Sequence, residues 1–355
     1  MADPGAIIIR MGMITAVGLN APQTAASVRA GVDRFGETSI YDRRFQPFTM
    51  SILPDDVLPP LSPELEKVSG LTSRQIRMLR LATPALQEAI EGVPGLKRIP
   101  LYLAGAEPLE NRPAPISEHF LQQLATQAEV DFDLAASRVF PVGRGAGLVA
   151  LKEAIDHLAA GTAESVLVGG VDTFLDLYLL GTLDMEERII GPGIMDGFIP
   201  GEGAAFLLLT AHNRANSKGM TPLGALSPVS IGFEAGHLYN SEIPYRGDGL
   251  AGAFTGLFSA GSVTEPIREL YSSMNGENHW AKEMGVAFMR NNAAFDPSYG
   301  THHPADCIGD TGAASGIILA ALAAIGIRKG YRRSPALVTC SSDRGVCGAV
   351  AVTAA

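Results

Sequence analysis

Cysteine is scarce in this chain of 355 residues: Cys307, Cys340 and Cys347 are the whole set. The number is odd, no CxxC pair occurs and no spacing suggests a framework, so a disulfide scaffold is excluded and a reducing cytoplasm is the expected setting. Basic residues are also short, 27 Lys and Arg against 37 Asp and Glu, for a net charge of −10. That balance argues against nucleic acid or anionic membranes as general partners, because both need clustered Lys and Arg. No apolar run is long enough to span a bilayer. The longest, residues 312–327, falls below the ~18–20 residues required and is rich in Ala and Gly, which predicts a central buried helix. The opening MADPGAIIIRMGM has too short an apolar run and no basic segment before it, so it reads as a first strand, not a secretory signal.

What the chain does have is apolar residues, at 46%, and 40 glycines. Both favour close-packed elements joined by tight turns. The length suits two domains or one duplicated unit at ~100–200 residues per domain. Residues 7–11 read as a strand and 23–30 as a helix with Pro22 in its first turn. Residues 36–63, carrying five prolines after Phe45, read as an irregular excursion that covers a pocket or a partner surface. A helix follows over 73–91, a strand over 99–104 and a helix over 117–127. Residues 175–180 are ambiguous. The pattern then repeats in a second half: an extended run at 224–231, helices at 250–258 and near 266–272, a further element at 283–288, the apolar helix, and strands at 336–340 and 348–353. Alternating strands and helices imply an α/β layered fold. The polar stretch 211–222 marks a boundary, giving halves of 1–215 and 216–355 with the same order of elements, as an old duplication would leave.

The segment FPVGRGAGLVALKEAIDHLAAGTAESVLVGGVD, residues 140–172, places a glycine-rich turn at a helix N-terminus. Free NH groups and the helix dipole make such a turn a seat for a nucleophile or an anion. Here it offers Arg144 and no Ser, Thr or Cys.

DGFIPGEGAAFLLL, residues 196–209, closely resembles the DGFxxGEGAxxLxL segment of the β-ketoacyl-acyl carrier protein synthases of the thiolase superfamily. GMITAVGLNAPQTAASVRAG (12–31), SRQIRMLRLATPALQEAIEG (73–92) and GLVALKEAIDHLAAGTAESVLVGGVD resemble other parts of those synthases in the same order. The resemblance implies two similar α/β halves in five alternating layers, α-β-α-β-α, and a dimer formed by antiparallel pairing of the strand at 138–142. In that family a turn cysteine attacks an acyl thioester, and two His, or His and Asn, stabilise the oxyanion and promote condensation. On this chain the cysteine falls on Arg144, which stays protonated and cannot be an acyl nucleophile. The second histidine falls on Asp310 in IGDTGAAS, the family's lysine near Ala305 or Asp306, and the first histidine near Asn291 or Asn292. The terminal glycine-rich segment resembles SSDRGVCG (341–348), with Asp343 and Arg344 at unlike positions.

Arg144 thus either binds an anion, such as a phosphopantetheine phosphate or a carboxylate, or forms a structural ion pair with Asp310 or Asp343. Cys340 and Cys347 are either displaced nucleophiles, favoured by Arg344, or buried inert thiols. Glu202 reads as scaffold, buried and paired. His302, His303, Asp306, Cys307 and Asp310 are dense but match no zinc pattern; Pro304 turns the chain and Asp310 caps the apolar helix. No metal and no cofactor is expected. Two functions remain open: an accessory or adaptor subunit that has lost condensation, as the chain-length-factor relatives have, or an acyltransferase with a remodelled site using Cys340, Cys347 or activated water. MNGENHWAKEMG (274–285) and HPADCIGDTGAASG (303–316) resemble thiolase-like proteins found with type VI secretion effectors, so an effector and an acyl carrier protein are both candidate partners.

Overall fold

The computed structural model describes residues 5–93, 98–110, 112–211 and 221–355. Its first half opens with β1 (Ala6–Thr15), buried along nearly its whole length, and α1 (Ala21–Arg29), whose start is fixed by Asn20 accepting from the Gln23 amide and by Pro22 in the first turn. Helix α2 (Ser73–Ile90) begins at a reciprocal Thr72–Gln75 capping box. Strand β4 (Leu101–Ala104), α3 (Glu118–Ala128), β5 (Arg138–Phe140), α4 (Ala146–Ala159) and β6 (Ser165–Thr173) follow. Helix α5 (Leu177–Met185), the segment of ambiguous pattern, leads to β7 (Glu202–Thr210). Strands β6 and β7 read as continuous apolar runs because both of their faces are covered.

The second half holds β8 (Gly224–Leu226), β9 (Ser230–Phe233), α6 (Asp248–Ser259), β10 (Ile267–Ser272), α7 (Asn278–Asn291), β11 (Phe295–His302), α8 (Ala305–Ile308), α9 (Ser315–Arg328), β12 (Ala336–Ser341) and β13 (Val346–Thr353). The two halves share one strand plan. The spatial order is β1-β7-β6-β4-β5 in the first and β9-β13-β12-β10-β11 in the second. Taken in chain order, each is first, fifth, fourth, second, third, with the same parallel and antiparallel neighbours. Strand β8 pairs with both β1 and β13 and joins the halves into one sheet. The three largest cores lie between the five layers. Helices α2 and α3 cover the outer face of the first half, α6 and α7 that of the second, and α4 and α9 lie between. The expected α-β-α-β-α fold is present. The expected boundary near 211–222 falls mostly on residues 212–220, outside those described.

Two expectations are corrected. Residues 36–63 are not irregular throughout: β2 (Gly36–Tyr41) and β3 (Pro47–Met50) form a hairpin. Its turn has no glycine; the Asp42 carboxylate accepts from the Arg44 and Gln46 amides, and Phe45 takes a left-handed φ of 59°. Pro47 sits at the first residue of β3, where no ladder donor is lost, and Phe48 and Met50 pack on Leu179, Leu183 and Phe198. Residues 266–272 form strand β10, not a helix. Buried between parallel β11 and β12, its six residues, IRELYS, mix apolar and charged side chains in a pattern too short to separate strand from helix.

Candidate functional site

The two central helices meet backbone to backbone. A Cβ added at Gly147 would lie 3.2 Å from Gly316 Cα, and one at Gly316 would lie 3.3 Å from Gly147 Cα. The short 3-10 turns Gly143–Gly145 and Gly312–Ala314 that lead into α4 and α9 are therefore side by side. From the first of them Arg144 extends into the interior, only 6% exposed.

Every arm of Arg144 is engaged. Nη1 donates to Asp310 Oδ2 at 2.6 Å, Nη2 to an Asp343 oxygen, and Nε to the Ser341 carbonyl at 3.1 Å, while the guanidinium carbon sits 4.3 Å from the Trp280 ring centre. A second buried arginine, Arg188, donates to both oxygens of Glu277 at 2.7 and 3.0 Å, to Asp343 Oδ2 at 2.7 Å and to the Tyr239 hydroxyl at 2.8 Å. Asn275 ties the two groups together, donating to Asp310 Oδ2 at 2.7 Å and Glu277 Oε2 at 3.0 Å. Trp280 Nε1 donates to the same Glu277 oxygen at 2.9 Å. Asp310 also accepts from the Gly312 amide at 2.8 Å, a turn bond ahead of the 3-10 turn; it does not cap α9, whose N-cap position is Ala314. Two guanidinium groups thus face three carboxylates.

The electrostatics follow from this packing. Burial opposes the charge on Asp343, but Arg144 and Arg188 prevail and hold it down to about 2. Burial likewise works against the Arg144 cation, and the Asp343, Asp310 and Glu277 carboxylates outweigh it, so the guanidinium is held protonated more firmly than usual. Next to the network, Glu107 is pushed the other way: burial and then the Asp343 charge raise it to about 7. A cleft of about 210 Å³ opens here, walled by Arg144, Asp343, Glu107, Tyr239, Phe198 and Arg344. This is smaller than the ~300–1,000 Å³ typical of small-molecule pockets.

A parallel network braces the neighbouring turn. Glu202, fully buried, accepts from Arg77 Nε and Nη2 at 2.6 Å each, from the Leu53 amide at 2.7 Å and from the Thr173 hydroxyl at 2.8 Å. Asp172 receives Arg74 at 2.8 Å and the Ala313 amide at 3.0 Å.

The profile of the β-ketoacyl synthase N-terminal domain matches residues 143–215. Among curated protein sequences none matches the chain. Solved structures do. The oxazolomycin ketosynthase domain of Streptomyces albus JA3453 is similar at a TM-score of 0.78 and 14% identity, over 99% of this chain and 75% of that one. The ishigamide ketosynthase/chain length factor is similar at 0.75 and 16% identity, over 99% of both chains. A type II polyketide ketosynthase, AntDE, solved with its acyl carrier protein AntF, is similar at 0.77 and 14% identity over 100% of both. The chain has the thiolase-like fold of these ketosynthases.

The residues singled out by sequence divide in two. Arg144, Asp310 and Asp343 come together. Asn291 and Asn292 do not join them: they end helix α7, where Asn291 Nδ2 donates to the Ala287 and Ala251 carbonyls at 3.0 and 3.3 Å, and Asn292 is exposed. Residues 283–288 continue that helix, so no strand ends at 291. The strand end that reaches Asp310 is that of β10, and the residue it delivers is Asn275. Cys340 and Cys347 are buried and absent from the cleft wall. Burial raises the Cys340 thiol to about 12, and burial with the Glu283 charge raises Cys347 well above the usual thiol range. Cys340 faces only a void of about 10 Å³. Arg344 points at Glu107, 3.7 Å away, and not at either cysteine. His302 bonds Glu269 and His303 bonds Ser272, both away from the Arg144 network. Sequence reasoning missed Arg188, Glu277, Asn275 and Glu107. The polar NGENHW run directly after β10 was the available signal for two of them.

A pH dependence follows for Glu107. Its folded pKa of about 7 lies above the ordinary 4.5, so the folded state binds the extra proton and stability is lost as pH rises from 4.5 through about 7. Glu107→Gln keeps the acceptor for the Arg344 amide but removes the charge. The variant should match the parent near pH 4.5 and exceed it by up to about 3 kcal/mol near pH 8, measured by urea unfolding at both values. Equal stability at the higher pH would contradict the raised pKa.

Proposed function

We propose that this ketosynthase-like protein does not form carbon–carbon bonds and serves as a binding or accessory subunit for a protein partner. The observation that carries this reading is Arg144. It stands at the turn where the resembling synthases place their cysteine, and its three nitrogens are committed to Asp310, Asp343 and Ser341. A network this fully satisfied resists opening, since each freed carboxylate would be a buried unpaired charge. Neither cysteine supplies a substitute: both are buried, and burial pushes the Cys340 and Cys347 thiols above their ordinary range, away from the reactive thiolate.

The similar ketosynthase solved with its acyl carrier protein supports an acyl carrier protein as one partner class for this chain; the other, a secretion effector of the type VI kind, rests on the sequence resemblance of residues 274–285 and 303–316 alone. A homodimer is part of the same reading. Strand β5 is an end strand whose only ladder partner among the described residues is β4, leaving its other edge for antiparallel pairing with a second copy.

The test is intact mass after incubation with acyl thioesters and loaded acyl carrier protein. No adduct is expected, while the protein sediments as a dimer and retains its partner on co-purification from its native host. An acyl adduct that disappears in Cys340→Ala or Cys347→Ala would establish the opposing reading, an acyltransferase with a displaced nucleophile.

A further inference from the structure

The HHPADC run finds no role in the Arg144 network, yet it lines a second cavity. About 250 Å³ in volume, this cavity lies beside α1 and is walled by Arg29, Tyr271, His302, His303, Asp306 and Arg332 among others. Among the described residues the fully buried arginines all have carboxylates: Arg74 has Asp172, Arg77 has Glu202, Arg144 has Asp310 and Arg188 has Glu277. Arg332 differs. Its Nε is buried with no hydrogen-bond partner, and among the described residues neither Arg332 nor Arg29 has a carboxylate within ion-pair distance. A buried donor without an acceptor is costly to keep, and its persistence points to a missing partner.

The position of Arg332 is built into the backbone. A Cβ at Gly326 would lie 2.6 Å from Arg332 Cγ, so only glycine lets the side chain cross the last turn of α9, and the Arg332 amide donates to the Gly326 carbonyl at 3.1 Å. Arg29 is held over the Tyr331 ring, 4.3 Å from its centre. The acidic groups near the cavity are accounted for. Glu269 accepts from His302 and from the Arg333 amide and side chain, which leaves Asp306, exposed at the rim, as the one opposing charge on the wall. His303 uses Nδ1 on Ser272 Oγ at 2.8 Å, so Nε2 remains.

We propose that this cavity binds a compact phosphate-bearing ligand, inorganic phosphate or a small phosphate monoester, with Arg332 and Arg29 as its cations. The guanidinium fork matches phosphate oxygens, and His303 and the Tyr271 hydroxyl are the further donors at hand. The volume, below that of drug-sized ligand pockets, restricts the organic part to a few atoms. The site is independent of whether the protein condenses, carries or merely binds its partner.

Calorimetric titration of the full chain with inorganic phosphate and with glycerol phosphate, at constant ionic strength and against chloride, tests it. Saturable binding of either is expected, weakened roughly tenfold or more by Arg332→Gln. Arg29→Gln, a change at an exposed residue that leaves the fold intact, should weaken it severalfold, so the result does not hang on Arg332→Gln folding. No saturable binding up to about 20 mM, or an affinity untouched by Arg29→Gln, overturns the proposal.

Discussion

Arg144→Met is expected to lower the free energy of unfolding by about 3–5 kcal/mol, the range for removing one partner of a buried ion pair. The loss falls mainly on Asp310. Asp343 keeps Arg188 at 2.7 Å, but Asp310, almost wholly buried, would be left with the Asn275 amide and the Gly312 NH alone. Met fills much of the volume of the arginine stem and keeps contact with Trp280, so the change reads out charge more than cavity. Adding Asp310→Asn to Arg144→Met should return part of the loss, because an amide needs no counterion. Urea unfolding of the four proteins in a double-mutant cycle measures this. A loss below about 1 kcal/mol for Arg144→Met would mean that the pair is screened by solvent, and the cleft would then be open enough to admit a ligand.

A loss of similar size is expected for Glu202→Ala, far from any chemistry. Glu202 satisfies four donors from three elements, and its removal strands the Arg77 cation, the Leu53 amide and the Thr173 hydroxyl in the interior. The penalty should again be about 3–5 kcal/mol. Replacing the pair together, Arg77→Met with Glu202→Leu, should recover most of it, since a packed apolar pair has no charge to desolvate. Thermal and urea unfolding of the single and double variants would show the asymmetry. Equal losses in both would place the cost in packing and not in the ion pair.

These expectations rest on residues of unequal visibility in the sequence. The layered fold was legible because each half ends in a strand buried on both faces, β7 and β13, and because the central helix α9 has almost no polar face. The hairpin β2–β3 was not, since its turn depends on one aspartate and a strained phenylalanine in place of the glycine that usually marks such a turn. Strand β10 was misread because six residues buried between two neighbours show neither period clearly. At the site, motif order located Arg144, Asp310 and Asp343, which lie within recognisable segments. Arg188 and Glu277 escaped notice: they lie 89 residues apart in chain position, and nothing local announces that they pair across the fold. Asn275 was displaced from expectation by a whole helix, because placing the strand end required knowing that 278–291 is helical.

The contact of Gly147 with Gly316 has a mechanical consequence. Two helix ends in backbone contact and the β1–β8–β13 ladder tie one half to the other among the described residues. Closing or opening the molecule as two jaws would require breaking hydrogen bonds within a single plate. Whatever arrives at the rim must therefore be answered by rearranged side chains and loops, and news of it reaches the centre as redistributed charge on a rigid frame.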